Sequence, residues 1–464
     1  MFDDSIFALS TARGRAGVAV LRISGPAAAT VFTVMASRDP PAPRRAVRLR
    51  LADPDSGAAL DQALGLWFPA PASFTGEDVT ELHLHGGPAV IAAVLACLGD
   101  LPGLRPAEAG EFTRRAFEAG KLDLSEVEGL ADLIAAETEA QRRQALRQLE
   151  GGLSAKAETW REGLIEAAAL LEAMIDFSDE DLPDDLEGQL QQKIDVIHGE
   201  IAGYLDDGHR GERLRDGLQV AIVGPPNAGK SSLLNALLRR DAAIVTATAG
   251  TTRDVIEAHL DLEGFPVTLA DTAGIRALDA VQATPDDEIE AEGIRRARAR
   301  AAAADLVILV LDMADWPPED PALGDFLTDE DSLLVLNKAD LYPAGASPYE
   351  TADAAAAPGT LSGRLGLVVS AKTGAGLTDL LARLTDIIRR RFAGPVEAPA
   401  ITRQRHREAL ETTAAALERI GADIPPELAA EDLRLALRAL GRISGRCDVE
   451  DILDRIFREF CIGK

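Results

Sequence analysis

Gly224-Pro225-Pro226-Asn227-Ala228-Gly229-Lys230-Ser231 fits the spacing G-x-x-x-x-G-K-S/T. A loop of this kind wraps backbone amides around phosphates. Its glycines permit close approach, and the helix that follows favours the anion at its N-terminus. Lys230 would reach the β- and γ-phosphates, and the Ser231 hydroxyl would ligate Mg²⁺. Asn227, Ala228, Gly229 and Ser232 would complete the phosphate contacts. Taken alone, the stretch could also be an incidental glycine-rich turn. The motifs that follow it in order argue against that.

Gly250-Thr251-Thr252-Arg253-Asp254 lies where a first switch segment would be. Thr251 and Thr252 are its nucleotide contacts, and Thr252 is the candidate to complete the Mg²⁺ shell when a γ-phosphate is present. Asp271-Thr272-Ala273-Gly274 follows a β-run. Asp271 would hold Mg²⁺ through water, and the Gly274 amide would sense the γ-phosphate. Asn337-Lys338-Ala339-Asp340 closes another strand, and Ser370-Ala371-Lys372 follows the last one. A carboxylate at Asp340 accepts from the N1–H and 2-amino group of guanine, donors that adenine lacks. The Ala371 amide can bond guanine O6. Together the motifs imply a guanine nucleotide.

Many GTPases place Gln directly after D-x-x-G to orient the attacking water. Ile275 stands there in this chain, and an aliphatic side chain cannot hold water. Glu288, Glu290 and Glu292 are candidate replacements, against a solvated helix face as the plain reading of each. Asn227 and the carbonyls of 246–251 could form an oxygen cage for a monovalent cation that offsets transition-state charge. An ordinary exposed Asn is an equal alternative.

These motifs need a parallel sheet with helices between its strands. The segment from 217 onward has that texture, with strand runs at 218–223, 267–270, 306–311, 333–336 and 365–369 and a helix at 230–238. Residues 341–363 read as a surface loop. Before this domain, 1–120 mixes strands (17–23, 79–84) with Pro/Gly turns in an α+β texture. Residues 121–216 are helical, as are 391–464 after the α/β stretch ends near 390. The expected fold is therefore multidomain: an α+β N-terminal domain (1–120), an all-α helical domain split into 121–216 and 391–464, and an inserted α/β P-loop G domain (217–390). No internal repeat is visible.

The chain has 464 residues, enough for two to four domains. Its three cysteines (Cys97, Cys447, Cys461) exclude a disulfide scaffold and suggest a reducing cytoplasm. The sequence shows neither a secretory signal nor a membrane span. A net charge of -28 opposes unaided binding along a stretch of nucleic acid, although arginine-rich patches occur locally. An RNA substrate would then call for a partner that supplies much of the positive surface. Glu81, His83 and His85 alternate on one strand face, and metal binding there is the weaker reading.

The combination G-P-P-N-A-G-K-S-S-L-L-N, A-G-T-T-R-D, D-T-A-G-I, N-K-A-D and the ending Phe460-Cys461-Ile462-Gly463-Lys464 resembles the MnmE (TrmE) family of tRNA-modification GTPases. The likeness continues through Leu21-Arg22-Ile23-Ser24-Gly25, Ser73-Phe74-Thr75-Gly76-Glu77-Asp78, Gly110-Glu111-Phe112-Thr113 and Lys121-Leu122-Asp123-Leu124, and so covers essentially the whole chain. The resemblance implies an N-terminal domain that dimerises and binds a tetrahydrofolate derivative (5-formyl or 5,10-methylene form) through Arg22, Glu81, Lys121 and Lys464. It implies K⁺ held by Asn227, Thr246, Thr248 and Thr251, and K⁺-dependent dimerisation of the G domains. It implies Glu290 as the catalytic carboxylate. Because extra residues follow Gly274 in this chain, Glu288 and Glu292 stay open as alternatives. Cys461 would lie near the folate. The implied partners are a second copy, an FAD-dependent MnmG-type protein in a heterotetramer, and tRNA, whose wobble uridine would be modified at C5. A regulatory GTPase of ribosome assembly is the competing function. It is disfavoured because no appended basic RNA-binding module is visible.

Overall fold

The computed structural model describes residues 2–176, 186–239, 257–271, 298–318, 321–327, 331–342, 360–361, 364–392, 400–421, 424–447, 453, 456–458, 460, 462 and 463. The chain divides into two compact units: residues 1–134, 146–205 and 405–464, and residues 135–145 and 206–404.

The first unit begins with β1 (Ser5–Leu9), β2 (Ala16–Ser24), α1 (Thr30–Ala36), β3 (Val47–Ala52), β4 (Ala59–Phe68), β5 (Val79–Gly86), α2 (Pro88–Asp100), β6 (Leu104–Pro106) and α3 (Glu111–Glu118). The strands form one sheet in the order β3-β4-β5-β2-β1-β6, antiparallel except for the β1–β6 pair. Period-2 alternation sends Leu21, Ile23, Leu49, Leu51, Leu82 and Leu84 to one face, where they pack with Val31, Phe32, Val94 and Leu98 of α1 and α2.

The opposite side of β5 and β2 carries Glu81, His83, Val20 and Arg22. A buried charge network ties together two of the sequence blocks noted above. The Arg115 guanidinium, with no exposed side-chain surface, donates to Asp4 (2.8 Å), to Glu77 (3.2 Å) and to Glu111 (3.2 Å). Ser24 Oγ donates to Glu77 at 2.8 Å. The polar residues Thr75, Glu77 and Glu111 of the stretches 73–78 and 110–113 are therefore part of an internal scaffold. It fixes the loop that presents Phe74.

Helices α4 (Leu124–Ala135), α5 (Glu139–Leu149), α6 (Gly152–Asp176) and α7 (Leu186–Leu205) follow. A capping box opens α4: Asp123 Oδ1 accepts from the Glu126 amide (2.9 Å), and Glu126 Oε2 accepts from the Asp123 amide (2.8 Å). Leu153, Ala157, Trp160, Leu164, Ala167 and Leu171 recur at helical spacing and form the buried stripe of α6.

In the second unit come α8 (Arg210–Asp216), β7 (Leu218–Val223), α9 (Lys230–Leu238), β8 (Glu257–Leu262), β9 (Phe265–Asp271), β10 (Leu306–Asp312), β11 (Leu333–Asn337), β12 (Thr360–Leu361), β13 (Arg364–Val368) and α10 (Leu377–Phe392). The sheet order is β12-β13-β11-β10-β7-β9-β8. Strands β7, β9, β10, β11 and β13 run parallel, while β8 and β12 are antiparallel additions at the two edges. Strand β12 lies within the stretch expected to be a loop. It is only two residues long, too short to give a period-2 signal. Both faces of the sheet are buried: Val220, Ile222, Ile308 and Val335 pack with α9 and α10, and Ala221, Val223, Leu309 and Leu336 pack on the other side.

The chain ends in α11 (Gln404–Glu418) and α12 (Pro426–Ser444). Among the described residues, no helix is long and apolar enough to cross a membrane.

A buried ion cluster holds α4 to α11 in the first unit. Arg405 donates to both oxygens of Glu128 at 2.6 and 2.7 Å, and His406 Nε2 lies 3.0 Å from the same carboxylate. Burial alone would raise the Glu128 carboxyl; the positive charge and hydrogen bonds of His406 and Arg405 outweigh it and hold the group well below the carboxylate range. A depressed folded-state value gives stability that is present above the ordinary value of 4.5 and is lost as pH falls toward the folded one. Glu128→Ala strands Arg405 and His406 in the interior. The expected cost is about 3–5 kcal/mol, read as faster amide hydrogen exchange in α4 and α11. Unchanged protection of both helices would remove the cluster from that role.

Candidate nucleotide site

The two halves of the site are built at the C-terminal ends of the parallel strands, where the chain crosses from β9 on one side of β7 to β10 on the other. Strand β7 runs directly into the glycine-rich loop, and α9 opens at Lys230. Gly224 has φ 145°, and a Cβ there would stand 2.1 Å from the Val310 carbonyl oxygen, so the loop can leave the sheet here only as glycine. Asn227 (φ 64°) and Gly229 (φ 91°) are left-handed as well. Lys230 folds back across the loop and donates to the carbonyls of Gly224 (2.8 Å) and Pro225 (2.7 Å). Ser231, Ser232 and Asn227 are exposed around it, while Ala228 is buried.

The base-recognition half is fastened to this loop. Asn337, buried at the end of β11, donates from Nδ2 to the Ala228 carbonyl (3.0 Å) and accepts the Ala371 amide on Oδ1 (3.0 Å). One side chain therefore joins the phosphate loop to the segment after β13. A Cβ on Gly229 would meet Asn337 Nδ2 at 2.3 Å, which explains glycine there. Ser370 Oγ donates to Asp340 Oδ1 at 2.7 Å, and Lys372 Nζ lies 3.7 Å from Asp340 Oδ2. The Ser370 hydrogen bond holds the Asp340 carboxyl below its ordinary range, with Lys372 adding to the effect. Asp340 lines a cleft with Gly229, Ser232, Asn337, Lys338, Ala371 and Lys372.

Asp312 carries no motif and was not expected from the sequence. It closes β10, pairs in register with Asn337, and holds Lys338 Nζ at 2.6 Å. The only available signal was a lone acid ending an apolar run. Asp271 is the last residue of β9, in register with Ile222. Thr246, Thr248, Thr251, Thr252, Gly274, Ile275, Glu288, Glu290, Glu292, Cys461 and Lys464 lie outside the described residues.

A second polar site lies in the first unit. Arg22 and Glu81 face each other across β2 and β5, and Arg22 donates from Nε (3.1 Å) and Nη2 (3.0 Å) to Glu81 Oε1. The Phe74 and Phe112 rings lie 5.3 and 5.8 Å from its guanidinium. Lys121 runs past Gly76, two residues from Phe74. Near the C-terminus, Ile462 bridges to Ala109, and the Gly463 carbonyl accepts from Ser10 Oγ at 2.9 Å. This brings the chain to the end of β1, two strands from Glu81. Gly463 has φ 105°, and a Cβ there would stand 2.2 Å from the Leu9 carbonyl oxygen. His85 pairs with Asp61 (2.7 Å) and not with Glu81, and no cluster of three metal-ligating acids, histidines or cysteines occurs among the described residues.

Two family models match the chain: the GTP-binding protein TrmE N-terminus over residues 5–121 and the MnmE helical domain over residues 124–461. The tRNA modification GTPase MnmE of Rhodospirillum rubrum is 56% identical over 477 residues, covering 100% of both chains. This chain belongs to the MnmE family. The protein of that name from Paramagnetospirillum magneticum is 54% identical over 462 residues, again with full coverage of both. A eukaryotic relative, the mitochondrial 5-taurinomethyluridine-tRNA synthase subunit GTPB3 of Danio rerio, is 47% identical over 100% of this chain and 93% of its own length. The helical model spans 124–461 and so encloses the G domain, as expected of a domain interrupted by an insertion. Membership makes the chain a GTP hydrolase of a family that acts in tRNA modification, with an N-terminal domain, a helical domain and a P-loop G domain.

Proposed function

We propose that the chain hydrolyses GTP with Mg²⁺ and K⁺ and, with an FAD-dependent MnmG-type partner, modifies C5 of the wobble uridine of certain tRNAs. The group installed is of aminomethyl type, its one-carbon unit drawn from a tetrahydrofolate derivative. The observation that carries the nucleotide half is Asn337, which ties the phosphate loop to the guanine-reading segment in one rigid site. The relatives' names, over full-length likeness, support the tRNA half.

The residues present fit the implied groups. Ser231 offers an exposed hydroxyl at the start of α9 for Mg²⁺, and exposed Asn227 offers a carbonyl oxygen for K⁺, whose charge would offset that developing on the γ-phosphate. Lys230 would exchange its loop carbonyls for phosphate oxygens. In the first unit, Glu81 can pair with the N–H donors of a pterin edge, half-buried Phe74 lies against the Arg22 guanidinium that bonds Glu81, and Lys121 with Lys464 would hold a polyanionic glutamate tail. The family dimer and the partner complex belong to the same proposal.

Mass spectrometry of wobble nucleosides from cells lacking the protein tests this reading. C5-modified uridines should disappear, and their persistence would overturn it. The cation role is tested at Asn227. Asn227→Ala should lose K⁺ stimulation of turnover and keep much of its Mg-GTP affinity, because Lys230 and the loop amides remain. Turnover in K⁺ equal to wild type, with the K⁺/Na⁺ difference intact, would exclude Asn227 as a ligand.

A further inference from the structure

We propose that the arginine edge of β3 is a docking strip for the phosphate backbone of the tRNA, an assignment that rests on the tRNA reading above. Strand β3 is one of the two edge strands of the N-terminal sheet. Arg44, Arg45, Arg48 and Arg50 lie on it or just before it, and all four are exposed. Residues 40–52 contain these four arginines and no acid, in a chain with 76 acids against 48 basic residues.

The pairing of the strip also bears on its charge. Several arginines of the described residues sit on carboxylates, among them Arg161 on Glu158, Arg390 on Asp331, Arg405 on Glu128 and Arg419 on Asp432. Arg44 instead donates to the Ala72 carbonyl (2.7 Å) and Arg48 to the Gln62 side-chain oxygen, both neutral acceptors. Their positive charge is not cancelled locally. Asp61, the acid across the strand pair, is taken by His85.

Arg48 and Arg50 point to the same face, about 7 Å apart. That spacing is comparable to the distance between neighbouring phosphates on one nucleic acid strand. Basic side chains on an edge strand also guard it against pairing with another chain, and the salt slope of tRNA binding separates that role from phosphate docking. Among the described residues, none of these four arginines is paired with a carboxylate. The complementary occupant is a polyanion, and the one polyanion the relatives' names supply is tRNA. A strip this small fits the expectation that a partner provides the rest of the positive surface.

The test compares the full-length protein with the variant Arg45→Gln/Arg48→Gln/Arg50→Gln. The probe is a fluorescent in-vitro tRNA transcript with uridine at the wobble position, titrated across a salt series. Affinity at low salt should fall roughly 10-fold or more. The slope of log affinity against log salt should become shallower by about 0.7–0.9 for each lost phosphate contact, roughly 2 to 3 in all. The corresponding Arg→Lys variant should keep the slope, and basal GTP hydrolysis should be unchanged in both. An unaltered slope in the Gln variant overturns the strip. So does a change in sedimentation that converts the oligomer, which would assign the edge to a second copy of the chain. Wobble nucleosides that persist in cells lacking the protein would sink the tRNA reading itself. Their loss combined with an unaltered slope would sink the strip alone.

Discussion

Asp340→Asn should prefer xanthosine triphosphate to GTP. The wild-type carboxylate is positioned on both sides, by the Ser370 hydroxyl on Oδ1 and by Lys372 near Oδ2. The Ser370 hydrogen bond, with Lys372, holds its carboxyl below the ordinary range. Two acceptor oxygens therefore meet the two donors on the guanine edge. An amide keeps one acceptor and turns a donor toward the 2-amino group, so one pair becomes donor against donor. Xanthine carries a 2-oxo group at that position and restores the match. A site built to pair a polar group rejects the analogue that leaves it unpaired, so the preference ratio should shift by on the order of 10²- to 10⁴-fold. Competition binding with the two triphosphates measures it. The fold should hold, because Asn337 and not Asp340 ties the loop to the segment after β13. An unchanged ratio would take Asp340 out of base recognition.

Much of this site was legible because each motif has to occupy a strand end. Gly224–Lys230 follows β7, Asn337 ends β11, and Ser370 follows β13, so pattern and periodicity supported each other. What was not legible was how the pieces hold one another. Nothing in the N-K-A-D pattern says that Asn337 spans two loops, because its partners are a backbone carbonyl and an amide 109 and 34 residues away. Asp312 escaped notice for a related reason: it acts by holding Lys338 and carries no motif of its own. In the N-terminal domain, β4 gave little period-2 signal because small Ala63 and Gly65 face the core while Leu64, on the outward face, is exposed. Arg115 was illegible altogether. Composition places arginine at the surface, and only the converging Asp4, Glu77 and Glu111 carboxylates make a buried one tolerable. Residues 135–145 read as ordinary helix continuous with their neighbours. They pack instead with the nucleotide unit, where the Ala140 amide donates to the Gly264 carbonyl and Gln141 Nε2 to that of Arg215. Periodicity cannot distinguish which body a helix serves.

Glu290→Ala should lower kcat by about 10²-fold or more, the scale of a lost general base, and leave nucleotide affinity nearly unchanged. The argument starts from Ile275. With an aliphatic residue after D-x-x-G, the attacking water has no side-chain acceptor at the usual place. A carboxylate is the natural substitute, but an anion beside the γ-phosphate is repelled unless cations shield it. Mg²⁺ on Ser231 and K⁺ on Asn227 would provide that shielding only when both are bound. The glutamate would then act in the closed, cation-loaded state, directly or through a bridging water, and it would contribute to hydrolysis without contributing to binding. Loss of K⁺ stimulation in Asn227→Ala and loss of turnover in Glu290→Ala should therefore not be additive. Once the cation is gone the carboxylate has no shielded place to work, so the double variant should be little slower than Glu290→Ala alone. Single-turnover hydrolysis in K⁺ separates chemistry from product release. The same assay on Glu288→Ala and Glu292→Ala fixes the register. Both should be mild. If one of them is the inactive variant, the catalytic role moves to that position and the water-activating argument stands with a different residue. If all three hydrolyse GTP at wild-type rate, none of these three glutamates activates the water.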